Sequence, residues 1–302
     1  MVEPVSERAS ERSTRRPLDE RALAHVLQRL QQAPTPPWLH GEVARRMAER
    51  LPVIRQSPEV VLDWWAHRGG GSDLLRDAYP HARMIAVESA PPSQPAPRWW
   101  SPRRWAARDE VVAEHAVTPG SAQLVWANMG LHAVADPQAM MARWQRALAV
   151  DGFLMFSTLG PGTLERLRTL YREHHWGEAF APFVDMHDLG DMLAHAGFAD
   201  PVMDQHLLTL TWADAPGLLA ELRTLGGNVA LQRHAGLRTP RWRDELLAAL
   251  AATAGADGRP LLQFELVFGH AFKAAPRPRL SAETTVPLQD MRAMVRARRG
   301  AP

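Results

Sequence analysis

Asp63, Glu88 and Asn128 each close an apolar run, and carboxylates and amides in that position do chemistry in many enzymes. Asp63 follows Val60-Val61-Leu62, and beyond Trp64-Trp65-Ala66-His67-Arg68 stand three glycines, Gly69, Gly70 and Gly71. A polar stretch from Ser72 to Tyr79 comes next. Glu88 follows Met84-Ile85-Ala86-Val87, and Asn128 follows Gln123-Leu124-Val125-Trp126-Ala127. A buried strand ending in an acid, a glycine-bearing turn and a helix make up the entry unit of a nucleotide-binding α/β sheet. A carboxylate at the end of the second strand accepts hydrogen bonds from ribose hydroxyls, and ligands collect at the carboxyl ends of the central strands. Asp63, Gly69, Gly70, Glu88 and Asn128 are therefore the expected cofactor-binding set.

The elements that must position these residues follow from periodicity. A helical pattern runs from Leu18 to about Gln32, and Ala33-Pro34-Thr35-Pro36-Pro37 breaks it. A second amphipathic helix spans Leu39 to Leu51. Strands are expected at Val60–Asp63, Met84–Glu88, Val111-Val112, Gln123–Asn128, Phe153–Ser157, Pro201–Leu210 and Leu262–Phe268. Helices alternate with them over 137–148, 163–174 and 185–196, and two more, over 215–225 and 241–254, precede the last strand. That alternation predicts an α/β fold with a mostly parallel sheet, helices on both faces and right-handed crossovers.

The chain has 302 residues, 46% of them hydrophobic, enough to bury a large core. It has no cysteine, which excludes disulfides, thiolate nucleophiles and cysteine-ligated zinc. Net charge is only +2, and Lys273 is the sole lysine. Residues 1–17 are polar and arginine-bearing, without an apolar segment that would make a signal peptide or membrane span. The organisation expected is a disordered lead over 1–17, one domain over 18–275 and a basic Pro- and Arg-rich tail over 276–302, in a cytoplasmic protein without a membrane partner.

Asp63 to Gly69 resembles the Asp-x-Gly-x-Gly-x-Gly loop of class I S-adenosylmethionine-dependent methyltransferases, with Trp65 and His67 where the first two glycines stand. Four further segments resemble the malonyl-acyl-carrier-protein O-methyltransferases of biotin synthesis. They are Leu124-Val125-Trp126-Ala127-Asn128-Met129-Gly130-Leu131-His132, Asp151-Gly152-Phe153-Leu154-Met155-Phe156-Ser157-Thr158-Leu159-Gly160-Pro161, Leu219-Ala220-Glu221-Leu222-Arg223-Thr224-Leu225-Gly226-Gly227-Asn228 and Phe264-Glu265-Leu266-Val267-Phe268-Gly269-His270-Ala271-Phe272-Lys273. The resemblance spans Trp38 to Lys273. It implies a Rossmann-like methyltransferase sheet with an antiparallel last strand, and a helical cap inserted over about 213–259. It also implies S-adenosylmethionine as cofactor, acyl-carrier protein as partner, and methylation of the free carboxyl of a malonyl thioester.

A carboxylate nucleophile is already ionised at neutral pH, so such a reaction needs alignment and exclusion of water rather than a base. An arginine suits the acceptor, because its planar fork pairs with two oxygens. Arg223 and Arg238 in the cap are the candidates, and His132 lies on the loop after the fourth strand, near the expected pocket. Trp65 allows two readings: a ring that plugs the crevice, or one that stacks on adenine from a shifted loop. The functional alternatives are accordingly a binding protein that has lost its cofactor, or a methyltransferase for another carboxylate.

Other eye-catching residues have plainer readings. Asp185-Met186-His187-Asp188 carries metal-ligating types but reads as a helix start with Asp185 as N-cap, so no metal site is expected. Trp99-Trp100-Ser101-Pro102-Arg103-Arg104-Trp105 mixes aromatic and basic residues and reads as a connecting segment, with no nucleic-acid partner.

Overall fold

The computed structural model describes residues 15–89 and 110–275. The expected tail, the Trp99–Trp105 segment and residues 1–14 lie outside the described residues.

Seven strands form one sheet in the order β3-β2-β1-β4-β5-β7-β6. They are β1 (Val60–Trp64), β2 (Arg83–Glu88), β3 (Glu110–Ala113), β4 (Ala122–Ala127), β5 (Leu148–Leu159), β6 (Ala199–Thr211) and β7 (Leu261–Phe272). The pairs among β1 to β5 are parallel, and β7 runs antiparallel to both of its neighbours, as the sequence led us to expect. The sheet reverses its winding between β1 and β4, and the crevice at their carboxyl ends is where a doubly wound sheet takes its ligand.

The helices are α1 (Glu20–Gln32), α2 (Trp38–Ala48), α3 (Ala66–Gly69), α4 (Ser72–Ala78), α5 (Pro137–Ala147), α6 (Glu165–Glu173), α7 (Met186–His195), α8 (Ala215–Thr224) and α9 (Pro240–Ala251). Their starts follow local chemistry. Asp136, Asp185, Asp214 and Thr239 each accept a backbone N–H of the first turn, and α5, α8 and α9 place proline there, where no donor is lost.

Parallel strands covered on both faces become continuously apolar. On one face Leu62, Trp64, Val125 and Phe156 pack against Met141 and Trp144 of α5 and Leu193 of α7. On the other, Val61, Leu124, Trp126 and Phe153 meet Val43 and Met47 of α2 and Leu75 of α4. Each large side chain buried this way contributes on the order of 2–3 kcal/mol. A third cluster, built from Leu167 of α6, Leu218 of α8, Leu246 and Leu250 of α9 and Leu262 of β7, holds the α8–α9 segment against the sheet.

Ordered packing begins before residue 18: Arg16 is 8% exposed and its N–H donates to Ala135 O at 2.7 Å. The loop after β1 contains a helical turn, α3. Trp65 sits in the left-handed region at φ 60°, so the chain turns sharply, and Gly69 N–H closes on Trp65 O at 2.9 Å.

Candidate functional site

The five residues expected to hold a cofactor do converge at the carboxyl ends of β1, β2 and β4, but their polar groups face protein. Asp63 is 3% exposed, and its Oδ2 accepts from Ser72 Oγ at 2.6 Å, fastening the start of α4. Glu88 is 5% exposed, and its Oε1 accepts the backbone N–H of His67 at 2.9 Å. Asn128 is fully buried: its Nδ2 donates to His40 O at 2.8 Å and Gly69 O at 2.5 Å, and its Oδ1 accepts from Ser157 Oγ at 2.6 Å. Both ends of the Asn128 amide are thus engaged by protein groups. Gly70, at φ 68°, is the C-cap of α3, and its N–H donates to Ala66 O.

Trp65 packs into the protein interior. The indole is 2% exposed, lies edge-on to Trp144 with ring centroids 6.0 Å apart, and donates from Nε1 to Glu114 Oε1 at 2.7 Å. It covers Gly130 so closely that a Cβ there would fall 1.9 Å from the ring, which explains why glycine follows Met129 in this segment. Glu114, just after β3, also accepts from Ser89 Oγ at 2.6 Å and pairs with Arg143 at 3.3 Å. Sequence reasoning missed Glu114, and its strand-end position was the available signal. Arg68 is buried, with its guanidinium 5.1 Å from the Trp65 ring. Burial lowers its pKa against the opposing charges of Glu88 and Glu114. Burial pushes the Glu88 carboxyl up, and the His67 N–H and the Arg68 charge pull it back.

A separate cavity of about 320 Å³ opens beyond the ends of β5 and β7. Its walls are Val26 and Leu30 of α1, Leu159, Leu219 and Leu222 of α8, and Leu246 of α9. Volumes of this size suit small ligands or the end of an acyl chain. The segments singled out in the sequence contribute His132, Leu159, Leu219, Leu222 and Phe264 to it. Glu265 of β7 accepts Gly162 N–H at 2.7 Å and fixes the Gly160-Pro161-Gly162 turn, where a Cβ on either glycine would meet its carboxylate within 2.4 Å. Gly226, Gly227 and Asn228 line the opposite wall, held by Asn228 Nδ2 donating to Glu178 O at 2.6 Å.

The polar side chains on this cavity are Arg16, His132, Tyr171, Arg223 and Asn228, and the first two and Arg223 carry the chemistry of interest. Arg223 is exposed, at the rim. Arg238 is elsewhere: it donates to Trp176 O and stacks on Trp242 at 4.5 Å, serving the α9 aromatic cluster and not the cavity. Nothing in the spacing around Arg16 signalled its place, because its partners lie more than a hundred residues away: Nη1 donates to His132 O and to Val134 O, and Nη2 to Pro182 O at 2.7 Å. Burial lowers its pKa to about 10. His132 is held neutral, well below the ordinary histidine value, by burial and then by the nearby His40, Arg16 and Arg68.

A family model described as a methyltransferase domain matches residues 38–200. The malonyl-[acyl-carrier protein] O-methyltransferase of Laribacter hongkongensis is 36% identical over 252 residues, covering 80% of this chain and 84% of the relative. The enzyme of the same name from Gallionella capsiferriformans is 37% identical over 248 residues, covering 79% and 85%. Among solved structures, a putative methyltransferase from Bacillus halodurans superposes with a TM-score of 0.51 at 14% identity, covering 76% of this chain and all of the other, a likeness of fold alone. With relatives of 36% and 37% identity matched over most of their length, the chain belongs to the malonyl-[acyl-carrier protein] O-methyltransferase family.

Proposed function

We propose that this chain is a carboxyl O-methyltransferase whose acceptor is a malonyl thioester carried on acyl-carrier protein. Family membership supports the reaction class, and one observation supports the acceptor: an apolar cavity walled in part by the family-like segments, with cationic and neutral polar groups at its edges. An acyl group entering there leaves water behind, and its carboxylate, ionised at neutral pH, needs no base to act as nucleophile. What the residues supply is orientation. The leucine walls fix the stem, Arg223 stands at the rim to meet the acidic carrier, and the inner polar end receives the carboxylate.

The donor implied by the fold is S-adenosylmethionine, and the residues as placed do not fit it. The Trp65 ring covers Gly130, and Glu88 spends an oxygen on the His67 N–H. The Gly69 and Gly70 amides close the α3 turn instead of facing a ligand. An adenosyl group reaches Glu88 only if the 65–70 turn moves. That closed crevice favours a second reading, in which the chain binds the same carrier-linked cargo without transferring to it.

Incubation with methyl-labelled S-adenosylmethionine and malonyl-carrier protein separates the two. Labelled malonyl methyl ester above the no-enzyme background is expected from the first. Tight malonyl-carrier binding with no ester, and no heat on titrating S-adenosylhomocysteine, would leave the second.

A further inference from the structure

The Arg16 guanidinium presents a buried positive charge to an apolar cavity, and among the described residues no carboxylate pairs with it. Its Nη atoms are held by three backbone carbonyls, those of His132, Val134 and Pro182, whereas its Nε is buried without a hydrogen-bond partner. Carbonyls fix the orientation of the fork but do not neutralise it. A buried cation left in that condition is costly, and an anion that arrives with a ligand removes the cost. Beside it, His132 has an Nδ1 that is also buried and unpartnered. Neutral imidazole adds a donor without adding a second charge.

We propose that Arg16 and His132 form the subsite that holds the free carboxylate of the bound acyl group, so that the preferred ligand class is a short dicarboxylate attached as a monothioester. This rests on the acceptor reading above and deepens it by naming what distinguishes malonyl from a neutral acyl group of similar length. Two carboxylate oxygens match the side-on edge of an arginine fork, and an acetyl thioester offers nothing to that edge. Arg223, exposed at the rim, has no part in this discrimination.

The experiment is a binding titration of the full chain with malonyl-, acetyl- and butyryl-carrier protein, repeated for Arg16→Met, Arg16→Lys and Arg223→Ala. The wild type is expected to prefer malonyl over acetyl by roughly tenfold or more, the scale of one charge-assisted bidentate contact. Arg16→Met is expected to abolish that preference, bringing the malonyl-to-acetyl affinity ratio to about one, Arg16→Lys restores part of it, and Arg223→Ala weakens all three ligands alike. A malonyl preference that survives Arg16→Met overturns the subsite and leaves the acceptor reading standing, as does a wild type that binds all three equally. A wild type that binds none of them overturns the acceptor reading and the subsite together. Should Arg16→Met fail to fold, the Nε–H resonance of Arg16 in the wild type decides: it shifts with malonyl-carrier and stays with acetyl-carrier, and no malonyl-specific shift overturns the proposal.

Discussion

Trp65 departs most sharply from its family's loop pattern, and its backbone keeps the conformation that a glycine would favour. Left-handed φ costs a non-glycine residue about 1–3 kcal/mol, while the buried indole contributes more than that through packing and its bond to Glu114. Replacing Trp65 by Gly relieves the first and forfeits the second, so a net loss of about 2–4 kcal/mol is expected by urea denaturation, somewhat below an ordinary Trp→Ala core truncation. The same variant clears the space over Gly130. Its affinity for S-adenosylhomocysteine should exceed that of the wild type by about tenfold or more, and an unchanged titration would show that the ring is not what shuts the crevice.

His40 carries the pH dependence at this scale. Its Nδ1 donates to Arg68 O at 2.7 Å, and burial pushes its pKa down to about 4. The unfolded chain, with histidine near 6.5, binds more protons between those values. The stability due to neutral His40 is therefore complete above pH 6.5 and drains as pH falls towards 4, by at most about 1.4 kcal/mol per unit. His40→Gln, which retains a donor for Arg68 O, should show a shallower decline of the urea midpoint between pH 7 and pH 4.5. Equal slopes in the two proteins would contradict this assignment.

At the scale of elements, the join between β5, α6 and β7 depends on Glu265. Its carboxylate holds Gly162 N–H, and Thr163 Oγ1 bridges the backbone of the same residue. Glu265→Ala leaves Gly162 without its acceptor and should cost about 1–3 kcal/mol. Because the turn joins Leu159 to Leu164, both of which line the cavity, malonyl-carrier affinity should fall as well, whereas donor-analogue binding should not change.

The strands were legible because burial on both faces leaves unbroken apolar runs, as in Phe153–Ser157. The α7 start was legible too, since Asp185 accepts His187 N–H at 2.8 Å through a purely local preference. The α3 turn was not, because it follows from the φ of Trp65, which is set by packing on Gly130 and Trp144 from distant segments. Site residues divide in the same way. Strand-end position announced Asp63, Glu88 and Asn128, but whether they face solvent or neighbours is decided by side chains such as Arg68 and Ser157, which spacing does not reveal.

For the whole molecule, the apolar cavity joins regions far apart in sequence. Its walls come from α1, the end of β5, and α8 with α9, and its buried cation comes from a segment ahead of all of them. Deleting residues 1–18 removes Arg16 and the buried Leu18, and should expose the leucine walls. Increased fluorescence of a dye such as ANS, with the sheet's far-ultraviolet signal retained, is the expected result. Loss of the sheet signal as well would mean that this segment supports the entire domain.

Leu18 bridges to Ala230, and Asp19 N–H donates to Val229 O at 2.8 Å. A clasp between positions so remote must form late, since closing a loop of that length carries an entropy cost that only finished neighbours repay. On the ribosome, the first residues would wait until most of the polypeptide had emerged before finding their partners. A refolding experiment should accordingly show sheet formation as an early phase, with competence to bind carrier-linked cargo appearing in a slower one.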